Sequence, residues 1–546
     1  MVGGLLNLAA VGNQNIILHG NPQKTYWSST YKRITNFGIQ NFRLDYEGLR
    51  QMSQTTESTY SFKVKRYAEL LMDTYFVIQL PDIYSPIYPN QTSGEWVPYE
   101  FKWIKNLGAL MIKNIKFTIG GALIQQLTGT DILLLANRDL SATHKKKWDE
   151  MVGNTPDLYD PANAFGRNNN YPHVVYNGTT PEPSIRGKQL RVPLPIWWGF
   201  TSQQAFPLVA LQYNVLQIEV TLRPLKELYQ IKDVVDANSI YPLIAPNMNI
   251  IQHQFHRFLQ PPPNNELTYT TTASNWNENT HLSCQYCFLS EEESKLFALQ
   301  TQKYLVKEYH QTLFTNVAIS DKVWLQNSTG LVLDWMFLFQ RNDVNKRNEW
   351  SNFTNWEYDY LPKTITLLPN LLMNGPFGNV GYGIQPTSHV TTNFYSTGDF
   401  HVENQKSILV QFGITFDGTV REEVRNATIY LHDQQYLIND GYGSSALDGL
   451  YCYHFCLDTS PYNLQPSGAI NLSKFSKIEF EFNTITPPLD PDSTFLTICD
   501  PELNQQIGVN KAVYKIYDYG FNLYVLEERY NILTFVSGNA GMMNAR

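Results

Sequence analysis

The chain has 546 residues and a mass of 62.9 kDa, too long for one ordinary core, so two or more domains are expected. Apolar residues make up 43%, aromatic residues 14% and charged residues only 16%, a balance that excludes disorder and suits strands and turns better than long helices. The net charge of −8 excludes a surface built to neutralise phosphates, so direct nucleic-acid binding is not expected.

At the N-terminus, the apolar stretch Leu5 to Val11 is too short for a signal-peptide core and has no basic residue before it. Val2 excludes an N-myristoylation start. No apolar run approaches the length of a membrane span, and a soluble, unprocessed product is expected. Period-two alternation then marks strands. Tyr60, Phe62 and Val64 alternate with Ser61, Lys63 and Lys65. Ile115, Phe117 and Ile119 alternate with Lys116 and Thr118 and stop at Gly120-Gly121. Thr130 to Leu140 and Ser141 to Val152 read as a helix pair with Ser141 as N-cap, and Lys145-Lys146-Lys147 reads as a solvated face.

Leu216, Ile218, Val220 and Leu222 form a further alternating strand. Pro224 and a mixed segment follow, so a boundary is expected between about Arg223 and Asn249, before Pro261-Pro262-Pro263. Ser290 to Glu293 has the Ser-x-x-Glu pattern of a capping box, opening a helix with Leu296, Phe297 and Leu299 along one stripe. Ile408 to Phe416 and Ile478, Phe480 and Phe482 read as later strands. The expected fold is all-β, two tandem eight-stranded antiparallel jelly rolls with short helices and long loops. The expected division is an N-terminal arm over 1–24, a first unit over 25–225, a linker over 226–249 and a second unit over 250–546. Long loops are expected at about 341–425 and at Thr155 to Pro183.

Chemistry-bearing spacings are absent. No phosphate-binding loop, His-Glu-x-x-His or Gly-x-Ser-x-Gly pattern occurs, and Gly378 to Gly383 lacks a strand-to-helix context. Cys284-x-x-Cys287, with Cys452 and Cys456 as possible partners, is the best metal candidate. Residues three apart on a strand point to opposite faces, so buried thiols are the preferred reading. His253-x-x-His256 fails in the same way. The odd number of cysteines does not suggest a disulfide framework, and free thiols in a reducing cytosol are expected. The sequons at Asn90, Asn177, Asn327, Asn352, Asn426 and Asn471 are assigned no glycan. No catalytic, cofactor-binding or metal residue is assigned. A carbohydrate-binding β-sandwich or a glycosidase is the rival class, but no spacing nominates the carboxylate pair that a glycosidase needs.

Several segments resemble the major capsid proteins of nucleocytoplasmic large DNA viruses. The opening GGLLNLAAVGNQNIILHGNPQKTYW, with its Gly20-Asn21-Pro22 turn, is similar to that family's N-terminal arm. Lys65 to Pro81, Ile119 to Asn154 and Val192 to Val220 resemble strands and the helical excursion of its first barrel. Cys284 to Glu308 resembles the segment that opens the second barrel. Leu464 to Phe475 resembles its Gln-Pro-Ser-Gly motif, and the tail from Tyr530 its closing strand. Arg341 to Arg425 has no matching counterpart, and a usual Gly-His-Asp-Arg-Phe-like element appears only as Leu431-His432-Asp433-Gln434-Gln435-Tyr436.

The resemblance implies a structural, non-enzymatic late protein of the virion, assembled in the host cytoplasm. It implies a homotrimeric, pseudo-hexameric capsomer that tiles an icosahedral capsid, with neighbouring capsomers, minor capsid proteins and an inner membrane layer as partners. No cofactor and no small-molecule substrate are implied. A minor capsomer or assembly-scaffold paralogue is the alternative within this class. Trp197 and Trp198 are candidates for either subunit seams or core packing.

Overall fold

The computed structural model describes residues 2–85, 100–167, 170–177, 180–232, 243–262, 271–356, 358, 365–367, 392–394, 406–438, 447–486, 496–499, 506–510 and 519–544. Sixteen of its strands build two antiparallel sandwiches. The first uses β1 (Phe37–Leu44), β2 (Ser58–Lys63), β3 (Leu70–Gln79), β4 (Ile112–Ile119), β5 (Ala122–Leu127), β6 (Gln189–Pro193), β7 (Leu216–Leu222) and β8 (His281–Leu289). One sheet has the order β1-β8-β3-β6, and the other β2-β7-β4-β5. The second sandwich uses β9 (Gln302–Val317), β10 (Ser320–Trp324), β11 (Leu331–Arg341), β12 (Leu409–Phe416), β13 (Thr419–Asn426), β14 (Tyr451–His454), β15 (Ile478–Thr484) and β16 (Phe521–Val536). Its sheets run β9-β16-β11-β14 and β10-β15-β12-β13. Adding eight to each label of the first sandwich gives the second.

Alternation produces these layers directly. In β7 the residues Leu216, Ile218, Val220 and Leu222 are buried while Gln217, Glu219 and Thr221 are half-buried on the other face, and β15 repeats the pattern. Each such apolar side chain contributes about 1.5–3 kcal/mol by leaving water. The β4–β5 hairpin turns on Gly120 and Gly121, both at positive φ, and a Cβ on Gly120 would lie 2.4 Å from Asn214 Oδ1. Only glycine fits there. The second core is strongly aromatic, with Phe337 stacked on Phe412 at 4.3 Å and Trp335 edge-on to Phe480 at 5.0 Å.

The first sandwich extends further along the chain than the alternating strands alone imply. Strand β8 pairs with both β1 and β3, so it closes the first sandwich and does not open the second. In this topology the last strand returns to lie beside the first, so it can follow a long excursion. Part of the expected linker is itself structured: Tyr229–Lys232 pairs with Phe101–Trp103 and with Leu243–Ile244. The chain leaves the first sandwich just after β8.

Short helices decorate this frame. The N-terminal arm holds α1 (Gly3–Ala9). Between β5 and β6 lie α2 (Gly129–Asp139) and α3 (Ala142–Val152). Ser141 caps α3 by accepting from the His144 N–H, and Thr128 caps α2 in a reciprocal box with Asp131. Helix α4 (Glu291–Leu299) starts after Ser290, but Ser290 makes no side-chain cap and the helix buries no residue. Of its apolar stripe, Leu296 and Leu299 are exposed while Phe297 packs against Leu70, Ala205 and Cys287. Lys145 also departs from its expected solvated face: its ammonium is 2.6 Å from Asp149 and lies over Trp148, while Lys146 and Lys147 stay exposed. The start of the expected 341–425 loop is packed: Trp350 donates to the Glu227 carbonyl and Asn348 Nδ2 to those of Lys226 and Tyr229. Most of 357–405, including Gly378 to Gly383, lies outside the described residues.

Candidate assembly surfaces

Helix α2 bridges the two sandwiches. Arg138, wholly buried, places Nη1 2.6 Å from Asp334 Oδ2 on β11 and 2.6 Å from Glu528 Oε2 on β16. Its Nε lies 2.7 Å from Asp139 Oδ1. Lys307 approaches Glu528 at 3.2 Å and His454 Nδ1 is 2.7 Å from Asp334 Oδ1. Burial disfavours the Arg138 cation, yet the Asp139, Glu528 and Asp334 carboxylates together raise its pKa well above the ordinary value. Burial alone would raise Asp334, but His454 and Arg138 hold its carboxyl below the usual range.

Two turns back along α2, Asp131 is enclosed. It accepts from Gln311 Nε2 of β9 at 2.7 Å, from the Tyr524 hydroxyl of β16 and from the Thr128 N–H. Burial pushes its pKa up to about 6, against the opposing pull of these donors. An apolar seam continues the joint: Trp197 packs on Tyr304 at 5.2 Å and Phe206 on Phe535 at 5.3 Å.

Trp197 and Trp198 are therefore buried, the first across the joint within one chain and the second against Thr74 and Phe206. Core packing describes both residues, and neither is offered to the outside. The charged joint is a feature that alternation and motif spacing do not expose. Its signal in the sequence is Asp334, a lone carboxylate inside the apolar run Val332–Phe339.

Cys284, Cys287, Cys452 and Cys456 are free and buried. Cys284 faces the first core beside Thr74, where burial pushes the thiol up to about 12. Cys287, past a bulge in β8, packs instead with Leu70 and Ala205. His253 and His256 sit in buried single turns. Among the described residues, no group of three or more His, Cys, Asp or Glu side chains could hold a metal ion. A cleft of about 330 Å³ lies between Leu135, Trp148, Phe200 and Tyr462. Of its two carboxylates, Asp73 is raised by burial and Asp139 is held by Arg138, which does not make the free pair glycoside hydrolysis uses. No helix among the described residues is long and apolar enough to cross a membrane.

Exposed apolar side chains are concentrated elsewhere. In the arm ahead of β1, Leu8, Ile17, Leu18, Tyr26 and Trp27 are all more than 70% exposed and α1 buries nothing.

Two eight-stranded sandwiches of identical strand order define the double jelly-roll class of fold. Residues 25–277 match the family model described as the major capsid protein N-terminus. The chain is 29% identical over 230 residues to the major capsid protein of Phaeocystis pouchetii virus, covering 42% of each chain. It is 22% identical over 547 residues, the full length of both chains, to the major capsid protein of Paramecium bursaria Chlorella virus 1. A quasi-atomic model of the PBCV-1 virus capsid superposes with a TM-score of 0.59 at 16% identity, over 96% of this chain and 100% of that one. Over residues 25–277 the chain matches the N-terminal part of the major capsid proteins of large DNA viruses, and its fold is that of their double jelly roll. In the first curated relatives, the matched stretch spans 42% of their own length.

Proposed function

We propose that this chain is the structural subunit of an icosahedral virion shell, acting as a homotrimer and not as an enzyme. The observation that carries the reading is the repeated sandwich. Two like barrels per chain, taken three times about an axis, give a six-barrelled block of near-hexagonal outline that can meet six neighbours. The buried joint around Arg138 supports it, because it fixes the two barrels in one orientation. The relatives' names as major capsid proteins point the same way.

The N-terminal arm, with no Lys or Arg in its first 23 residues, suits contact with a neighbouring capsomer, a minor capsid protein or an inner membrane layer, and not the genome. The protein then resides in the virion after assembly in the host cytoplasm. Light scattering on the purified chain tests the reading. A native mass of three times 62.9 kDa is expected, with hexagonal arrays on concentration; a monodisperse monomer that binds glycans would overturn it.

A further inference from the structure

Of the basic run Lys145-Lys146-Lys147, the fold takes only Lys145 inside. The side chain is buried, and Nζ lies 4.8 Å above the centre of the Trp148 ring. Burial lowers the Lys145 pKa against the pull of Asp149, and the charge of Lys105 acts in the same direction as burial. A desolvated lysine beside a second cation is closer to a free amine, and so to a nucleophile, than one in water. The shell reading makes no use of such a group.

An electrophile is held on the same carboxylate. Asp149 Oδ1 accepts from Lys145 Nζ at 2.6 Å and from Asn154 Nδ2 at 2.9 Å. Asn154 follows the left-handed Gly153 that ends α3, and its own N–H returns to the Asp149 carbonyl at 2.8 Å. The other polar atom of its carboxamide, Oδ1, accepts from the Asn106 N–H at 3.2 Å. Amine and leaving nitrogen thus share one carboxylate oxygen, and a backbone donor stands where negative charge would gather. A helix ion pair between Lys145 and Asp149 requires neither the carboxamide on that oxygen nor the donor on its carbonyl.

We propose that Lys145 and Asn154 condense into an intramolecular isopeptide bond, with Asp149 as the catalytic acid–base. Lys145 gives a proton to Asp149, and the neutral Nζ attacks Asn154 Cγ. The Asn106 N–H stabilises the carboxamide oxygen as charge develops on it. Asp149 hands its proton to Nδ2 and takes another from the attacking nitrogen. The Cγ–Nδ2 bond then breaks with its electron pair going to nitrogen, and ammonia leaves. That ammonia takes the second proton from Asp149, which ends ionised as it began. The product is a secondary amide, and the reaction needs no oxidant or cofactor. It closes a covalent loop over residues 145–154, next to the helix that carries the Arg138 joint.

Mass spectrometry of the full chain, denatured after purification, tests the bond. The wild type is expected one ammonia lighter than its residues sum to. Trypsin does not cut after an acylated lysine, so digestion should give one branched peptide joining residues 139–146 to residues 148–167. Lys145→Arg and Asp149→Asn should each restore the full mass and release the two peptides separately. A wild type of full mass with separate peptides, even after prolonged incubation at neutral pH, would overturn the proposal. So would a loss of ammonia that persists in Lys145→Arg, which marks a succinimide at Asn154. A cross-link that survives Asp149→Asn would overturn the acid–base role. The wild-type digest decides the central point even where a variant fails to fold.

Discussion

Arg138 on a helix of the first sandwich and Asp334 on a strand of the second share a hydrogen bond of 2.6 Å, with both side chains fully out of water. The pair, 196 positions apart in sequence, joins the two barrels. Removing one member of such a cluster leaves opposite charges buried and unpaired. Arg138→Met is therefore expected to lower unfolding stability by about 3–5 kcal/mol. Replacing Arg138, Asp334 and Glu528 together by apolar residues should cost less than the single change. Urea titrations of the three proteins check the ordering, and a triple variant weaker than Arg138→Met would contradict it.

Asp131 gives the joint a pH dependence with a definite sign. Its folded pKa of about 6 lies above the usual value of 3.8, so the folded state holds the proton more tightly. The resulting stabilisation is complete below about pH 4 and is lost as pH rises through about 6, amounting to roughly 3 kcal/mol if undiminished. Asp334 behaves oppositely: its depressed pKa adds stability above its unfolded value, lost only in stronger acid. Melting temperature should thus fall between pH 5 and pH 7 by more in the wild type than in Asp131→Asn. Equal slopes in the two proteins would remove Asp131 as the source.

The strands were readable because burying one face imposes a period of two, as in Leu216 to Leu222 and Ile478 to Phe482. Pairing was not, because alternation is local and carries no information about partners. That is why β8, with its Cys284 and Cys287, looked like the start of the second unit when it closes the first. The helix stripe of Leu296, Phe297 and Leu299 is split in the fold, with Phe297 packed on the first sheet and the two leucines exposed, because an apolar face does not say which of its residues meet a partner. The Arg138 cluster depends on three segments meeting, so only Asp334, alone in its apolar run, hinted at it.

Trp197 bridges the sandwiches through Tyr304 and Phe206. Trp197→Ala should leave a cavity that costs about 3–5 kcal/mol and lower the melting temperature of the isolated chain. An unchanged melting temperature together with a lost oligomer would instead restore an inter-subunit role.

The thiols of Cys284, Cys287, Cys452 and Cys456 are buried, and burial raises the pKa of each. Both effects suppress the reactive thiolate. These four positions should resist alkylation in the native protein and react fully in denaturant, as mass spectrometry of labelled peptides would report. Rapid native labelling at Cys452 would show that the joint opens readily.

The arm makes no buried contact of its own. Deleting residues 1–24 should leave the unfolding midpoint within about 0.5 kcal/mol of wild type while impairing assembly beyond the isolated oligomer. Normal shell assembly by the truncated chain would count against a bridging role.

A low-resolution reconstruction of the native oligomer tests the central claim most directly. Six lobes of similar size around a threefold axis, two from each chain, are the expected result. A particle with one lobe per chain, or a free two-lobed monomer at working concentration, would contradict the account.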